Sequence, residues 1–390
     1  MNRKTWLAAI ATTLLMTGGA ARAADPIRIG WLGSLSGALS AAAIVINQGI
    51  EYGVAETNRA GGIDGRKLEL LTRDTAGDPT KAVNLAQQLI FRDKVHLIIG
   101  PVNSGEALAA GPVIAGTGTP ELIFSSIESL TSAEKYPSIF RFFPLNAQFI
   151  EGANDYVLNT LKLRKIAVLT DSTGYGSTTG KQAEELLGKV GVKPVLVSLI
   201  DPNKTDLSDD IAKAKAAGAE VLMPWSNATG MLARIMNASR DIGWNVPIVG
   251  HPALSAFAIK SLLHKPEYWE NVYAISFASS ALQPDGQPRP ATRKLMDEAR
   301  KTLGKKEFDF TFWWFALGYD LQKVAEHAIR TAGSTRPEAI RAALEKTHDY
   351  PGAFATLSWS PKNRDGFPLS ELAVVKANTF HDGLFTAAPR

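Results

Sequence analysis

Short, unbroken apolar runs alternate with longer amphipathic stretches along almost the whole chain, and they do so in two series. The first reads as strand 27–32, a Gly33-Ser34-Leu35-Ser36-Gly37 turn, helix 40–59, strand 67–74, helix 78–92, strand 95–99 and helix 104–115. Strands that are apolar at every position must be covered on both faces, and helices carrying one apolar stripe are what cover them. A parallel sheet in an α/β fold follows. The second series starts beyond Arg141-Phe142-Phe143-Pro144, with helix 147–161, strand 165–169, helix 178–190, strand 193–199, helix 207–217 and strand 221–224. Helix 231–242, strand 247–250 and helix 255–263 extend it. Residues 273–276 read as a return crossing, 291–346 as three helices, and 354–385 as short strands around a turn at 361–366. The pattern predicts two lobes, 24–143 plus 274–349 and 144–273 plus 350–390, with more than one crossing between them.

The start of the chain predicts export. Arg3 and Lys4 precede a short apolar run, 7–16, and Ala21-Arg22-Ala23 offers a small-x-small cleavage site, so residues 1–23 read as a signal peptide. No later stretch approaches the roughly 20 apolar residues of a spanning helix. The 390 residues include no cysteine, which removes disulfides, thiolate metal sites, thiol nucleophiles and a lipid-modified cysteine anchor. The expected location is therefore a periplasm, with the protein free to diffuse. Losing residues 1–23 takes away Arg3, Lys4 and Arg22, lowers the formal charge from +4 to +1, and leaves no basic footprint for nucleic acid.

The chemistry-bearing motifs are few. The six histidines, His96, His251, His264, His327, His348 and His381, have no i,i+4 partners, so neither a metal site nor a cofactor is expected. Gly116-Thr117-Gly118-Thr119-Pro120-Glu121 lacks the third glycine of a dinucleotide loop and precedes a strand. Gly174-Tyr175-Gly176-Ser177-Thr178-Thr179-Gly180-Lys181-Gln182 fails as a phosphate loop at Tyr175 and Gln182, and no G-x-S-x-G elbow presents a serine. An enzyme is thus not expected. What remains is a set of hydroxyl-rich loops at strand ends: Ser34 and Ser36, Asn103 and Ser104, Ser125 and Ser126, Ser172 and Thr173. Serines at helix N-termini cap the helix and, with its unpaired N–H groups, can hold an anion. In open α/β sheets that edge is where ligands sit. Trp225, ending a strand, either stacks on an aromatic ligand or packs beneath the hinge.

The runs Gly30-Trp31-Leu32-Gly33-Ser34-Leu35-Ser36-Gly37 and Asn58-Arg59-Ala60-Gly61-Gly62-Ile63-Asp64-Gly65-Arg66-Lys67-Leu68, with 74–82, Ile99-Gly100-Pro101, Gly174-Tyr175-Gly176 and 314–320, cover nearly the whole mature chain. In these the chain resembles the branched-chain amino acid (Leu/Ile/Val) binding proteins of ABC transporters, which are type I periplasmic binding proteins. The resemblance implies two Rossmann-like lobes joined by a three-strand hinge, a small-molecule ligand in the cleft, and partners in an inner-membrane ABC permease and its ATPases. A monomer is expected. By position, Ser104 matches the serine that binds the ligand carboxylate, and Phe124, Ser125 and Ser126 match the loop that adds backbone and hydroxyl contacts, beside Asn103. Tyr175 matches an aromatic closing from the second lobe, and Asn227 sits where another second-lobe contact would lie. Two positions depart: Pro252 stands where those proteins place an acid for the ligand ammonium, and Ala42 where they carry an aromatic near the side-chain pocket. A buried ammonium without its acid costs several kcal/mol. A bulkier carboxylate without an α-amino group, an aromatic acid among them, is the expectation, unless Glu128 or Asp171 supplies the acid. A sensor reporting to a chemoreceptor, histidine kinase or regulator is the alternative role; a periplasmic α/β enzyme is a remote one.

Overall fold

The computed structural model describes residues 25–37 and 40–389, so the expected signal peptide lies outside the described residues. Two sheets form the frame. The first is parallel throughout, in the order β2-β1-β3-β4-β5, from β1 (Ile27–Gly33), β2 (Leu68–Asp74), β3 (Leu97–Ile99), β4 (Glu121–Ile123) and β5 (Ile139–Arg141). The second holds β6 (Ile166–Asp171), β7 (Leu196–Ile200), β8 (Val221–Trp225), β9 (Ile248–Gly250), β10 (Val272–Phe277) and β11 (Leu372–Lys376). Its order is β11-β10-β9-β8-β6-β7, and β11 alone runs antiparallel.

Helices cover both sheets. Around the first lie α1 (Ser40–Arg59), α2 (Pro79–Gln87), α3 (Ser104–Gly116), α8 (Pro290–Leu303), α9 (Phe312–Ala332) and α10 (Pro337–Leu344), with α9 packed along α1. Around the second lie α4 (Asn146–Asp155), α5 (Gly174–Lys189), α6 (Ser208–Ala216) and α7 (Thr229–Asp241). Caps set where several of these begin. Asp78 accepts from Lys81 N at 2.8 Å ahead of Pro79, which needs no hydrogen-bond acceptor in the first turn. The segment after α1 is fixed by Asn58, whose side-chain amide donates to Leu68 O at 2.9 Å and accepts from Leu68 N at 2.8 Å, so the helix feeds straight into β2.

Two expectations move. Residues 273–276 are no crossing: Val272–Phe277 pairs with β9 on one side and β11 on the other, because this apolar run is long enough to be an interior strand. The return to the first sheet comes after Phe277. Residues 350–371 also do not join the second sheet, since Arg141 N donates to Arg364 O at 2.7 Å and Gly366 N to Arg141 O at 3.1 Å, beside β5. Helix 255–263 is replaced by two 3-10 segments, Pro252–Ser255 and Phe257–Leu262, separated by an extended Ala256.

The chain passes between sheets after β5, after β10 and before β11, and each passage contributes a phenylalanine to one cluster. Phe143 and Phe277 have ring centroids 5.4 Å apart, Phe277 and Phe367 5.8 Å, and Trp313 at the start of α9 lies 4.5 Å from Phe277. Asp320 on the same helix is buried and accepts from Ala353 N at 3.0 Å and Phe354 N at 2.6 Å, which pins the third passage to α9. Among the described residues no helix is long and apolar enough to cross a membrane.

Candidate functional site

The carboxyl ends of β1, β3, β4 and β5 face the same edge of the first lobe, and hydroxyls gather there. Asn103 caps α3 by accepting from Glu106 N at 2.9 Å, and its side-chain amide also reaches the Glu106 carboxylate. Asn103 is thus engaged in holding the helix start. That start places Ser104 in the first turn, where helix N–H groups lack intrahelical partners. Ser125 Oγ donates to Ser104 Oγ at 3.0 Å, which leaves the Ser104 proton uncommitted. Ser125 and Ser126 are buried, and Ser104 is half-buried. The other hydroxyls of the edge are already bonded, Ser34 Oγ donating to Glu106 Oε2 at 2.9 Å and Ser36 Oγ to Asp74 Oδ2 at 2.7 Å.

Arg141, fully buried at the end of β5, organises this loop. Its Nε donates to Asp365 Oδ1 at 2.8 Å, and its Nη2 to Thr131 Oγ1 at 3.0 Å and to the carbonyl of Ile127. Glu128, next in that loop, accepts from Gln182 Nε2 of α5 at 2.8 Å, and Asn146 N of α4 donates to Ser126 O at 3.1 Å. Two hydrogen bonds therefore join the serine loop to the opposite lobe.

Asn146 has a constrained amide. Thr179 Oγ1 donates to Tyr175 O at 2.8 Å, so it can only accept from Asn146 Nδ2, at 3.3 Å. Asn146 Oδ1 is left sealed without a partner.

The second lobe's edge is built differently. Thr173 caps α5, accepting from Gly176 N at 3.3 Å and held in turn by Asp171, which also accepts from Thr173 N at 3.0 Å. A Cβ at Gly176 would lie 2.1 Å from Asp171 O, so this glycine serves the close approach of helix to strand and not a phosphate. Tyr175 follows, half-buried, and burial raises its hydroxyl above the ordinary phenol range. Its ring stands 5.5 Å from His251, at 76°. Trp225 ends β8 fully buried, and its indole Nε1 has no partner. Asn227 is exposed beyond it, outside the buried edge.

An aromatic row connects the two edges. Trp31 stacks on Phe124 at 6.1 Å, Phe124 meets Phe143 at 6.4 Å, Phe143 meets Phe149 at 5.7 Å, Phe149 meets His251 at 6.4 Å, and His251 meets Tyr175. The expected Phe124 and Tyr175 are its near-terminal members. Trp31, Phe143, Phe149, Asn146, Arg141 and His251 were not singled out by the sequence reading. A signal for Trp31 exists: Gly33 has no Cβ, and one built there would lie 2.7 Å from the Trp31 ring, so the indole lies over the strand end. Its Nε1 is also sealed without a partner.

Among the described residues no three His, Cys, Asp or Glu side chains gather to hold a metal. A hollow of about 390 Å³ between Phe257, Lys260, Trp269 and Phe380 lies on the flank of the second lobe and shares no residue with either edge.

Two α/β bodies, three passages, and hydroxyls at facing strand ends match a known architecture. The periplasmic binding protein family model matches residues 26–383. The chain belongs to that family. This periplasmic binding protein is 27% identical over 351 residues to Leu/Ile/Val-binding protein homolog 3 of Brucella melitensis, covering 88% of this chain and 89% of that one. Its fold is similar to the branched-chain amino acid transporter substrate binding protein LivJ of Streptococcus pneumoniae in complex with isoleucine, with TM-score 0.80, 22% identity and 93% and 98% of the two chains covered. It is also similar to a solute binding protein of an ABC transporter from Rhodopseudomonas palustris in complex with 3,4-dihydroxy benzoic acid, with TM-score 0.73, 18% identity and 90% and 92% covered. The expected kinship with branched-chain amino acid binding proteins of type I is borne out.

Proposed function

We propose that this periplasmic binding protein captures a small carboxylate-bearing solute, an aromatic acid and not an α-amino acid, and delivers it to an inner-membrane ABC permease and its ATPases. The observation that carries this reading is the Ser125-to-Ser104 hydrogen bond at the start of α3, which leaves the Ser104 hydroxyl proton free beside the unpaired N–H groups of the helix's first turn. A carboxylate there receives charge-assisted hydrogen bonds, the stronger kind. Ser126 and Phe124 complete the first lobe's side, and Tyr175 and Trp225 supply an aromatic wall from the second.

An amino acid would need an anionic partner for its ammonium. Pro252 occupies the position expected for that acid, Asp171 is held by Thr173 at the helix cap, and Glu128 is turned to Gln182 at an exposed hydrogen bond. Relatives of the same fold are described with isoleucine and with 3,4-dihydroxy benzoic acid, so the architecture is compatible with both ligand classes. The lobes, with the second passage placed after Phe277, would close as two bodies around the phenylalanine hinge. Only contacts made in the closed form favour closure. The mature protein would act as a monomer in the periplasm.

A thermal-shift screen tests the reading, because a ligand that binds the folded state raises the melting temperature by mass action. Benzoate-like acids should give the largest shifts. Leucine, isoleucine or valine giving the largest shift, with benzoate giving none, would refute it.

A further inference from the structure

His251 follows β9 on the same edge as Tyr175 and Trp225, and its ring is locked. Its Nδ1 accepts from Ala253 N at 3.0 Å, which fixes the neutral tautomer with the proton on Nε2. Tyr175 flanks the ring at 5.5 Å and Phe149 at 6.4 Å, so two aromatic faces set its orientation. Nε2 makes no hydrogen bond among the described residues, and it is not among the sealed, unpartnered atoms. Burial pulls the imidazolium pKa down to about 3, which keeps the ring uncharged at neutral pH. The side chain therefore offers one N–H donor, no positive charge and no acceptor on its open side.

We infer that His251 is a specificity residue that donates Nε2–H to a ligand oxygen other than those of its carboxylate, on the part of the ligand that Tyr175 faces. The inference rests on the carboxylate reading above and narrows it to acids carrying a further hydroxyl or carbonyl oxygen. A neutral donor rejects an ammonium at that place and gains nothing from a bare ring edge. A ligand lacking the oxygen leaves the N–H unpaired in a closed site, and such a loss weakens binding by roughly ten- to a hundredfold.

Calorimetric titration with 4-hydroxybenzoate and benzoate, on the wild type, His251→Phe and His251→Gln, tests it. The wild type should bind 4-hydroxybenzoate about tenfold or more tighter than benzoate. His251→Phe should erase that gap, because benzoate no longer leaves an N–H unpaired and 4-hydroxybenzoate loses its donor, and His251→Gln, which retains an N–H donor, should restore part of it. Nitrogen-15 NMR of the wild-type imidazole should move the Nε2 resonance with 4-hydroxybenzoate and not with benzoate. Equal weakening of both acids in His251→Phe, or an unmoved Nε2 resonance, overturns the role of His251 while leaving the carboxylate trap standing. Failure of the wild type to bind either acid overturns both.

Discussion

The two lobes reach their shared edge with opposite chemistry. On the first, serines are held by hydrogen bonds to one another and to Ile127, whose carbonyl the buried Arg141 holds; on the second, a phenol and an indole are held by packing and an imidazole by packing and one backbone hydrogen bond. Hydrogen-bonded hydroxyls are directional and suit a charged group, whereas aromatic faces suit a flat apolar body. On the proposed function, the charged end of a ligand would meet one lobe and its body the other, so neither lobe alone would make a site. A molecule touched by both favours the closed form.

The largest effect should come from removing the support of the polar side. Arg141→Met deletes the donor to half-buried Asp365, to buried Thr131 and to the Ile127 carbonyl, and should lower stability by about 3–4 kcal/mol in denaturant unfolding, since three acceptors lose a charged donor at once. A loss under about 1 kcal/mol would mean that the serine loop does not depend on this network. Next in size, Ser104→Ala should weaken benzoate binding by about 1.5–3 kcal/mol in calorimetry, from the one charge-assisted hydrogen bond that its free proton makes, while the melting temperature of the free protein changes little.

The aromatic side should respond differently. Trp225→Phe removes an indole N–H that has no protein partner but leaves a cavity in the core, so the free protein should lose about 1–2 kcal/mol. If the ligand supplies the missing acceptor, affinity should fall by about 1 kcal/mol, and an unchanged affinity would make Trp225 packing alone. The smallest effect belongs to the bond between the lobes. Gln182→Ala deletes its exposed hydrogen bond to Glu128 and should shift the open-to-closed balance by no more than about 1 kcal/mol, visible as a slightly larger radius of gyration in ligand-free X-ray scattering.

How far this contrast was legible in the sequence also divides by lobe. Ser104, Ser125 and Ser126 were readable because helix caps and strand-end hydroxyls carry a local signature. The partnership of Ser104 with Ser125 was not, since it joins loops 21 residues apart in sequence through sheet pairing. On the second lobe Tyr175 was placed by resemblance, in the Gly174-Tyr175-Gly176 run. His251 was passed over because a lone histidine carries no spacing signal; its meaning comes from Ala253 N, Tyr175 and Phe149, which only the fold assembles. Asn227 was placed by resemblance alone, and it stands exposed past the end of β8. The misplaced crossing at 273–276 has a similar origin: an apolar strand looks the same in sequence whether it ends a lobe or fills its centre.

The most direct test of a first-lobe trap for an acid that lacks an amino group is a paired calorimetric titration of the mature protein with benzoate and with leucine. Benzoate should bind at one molecule per chain and leucine should give no binding heat. Saturable binding of leucine, with benzoate silent, would contradict the account at its root.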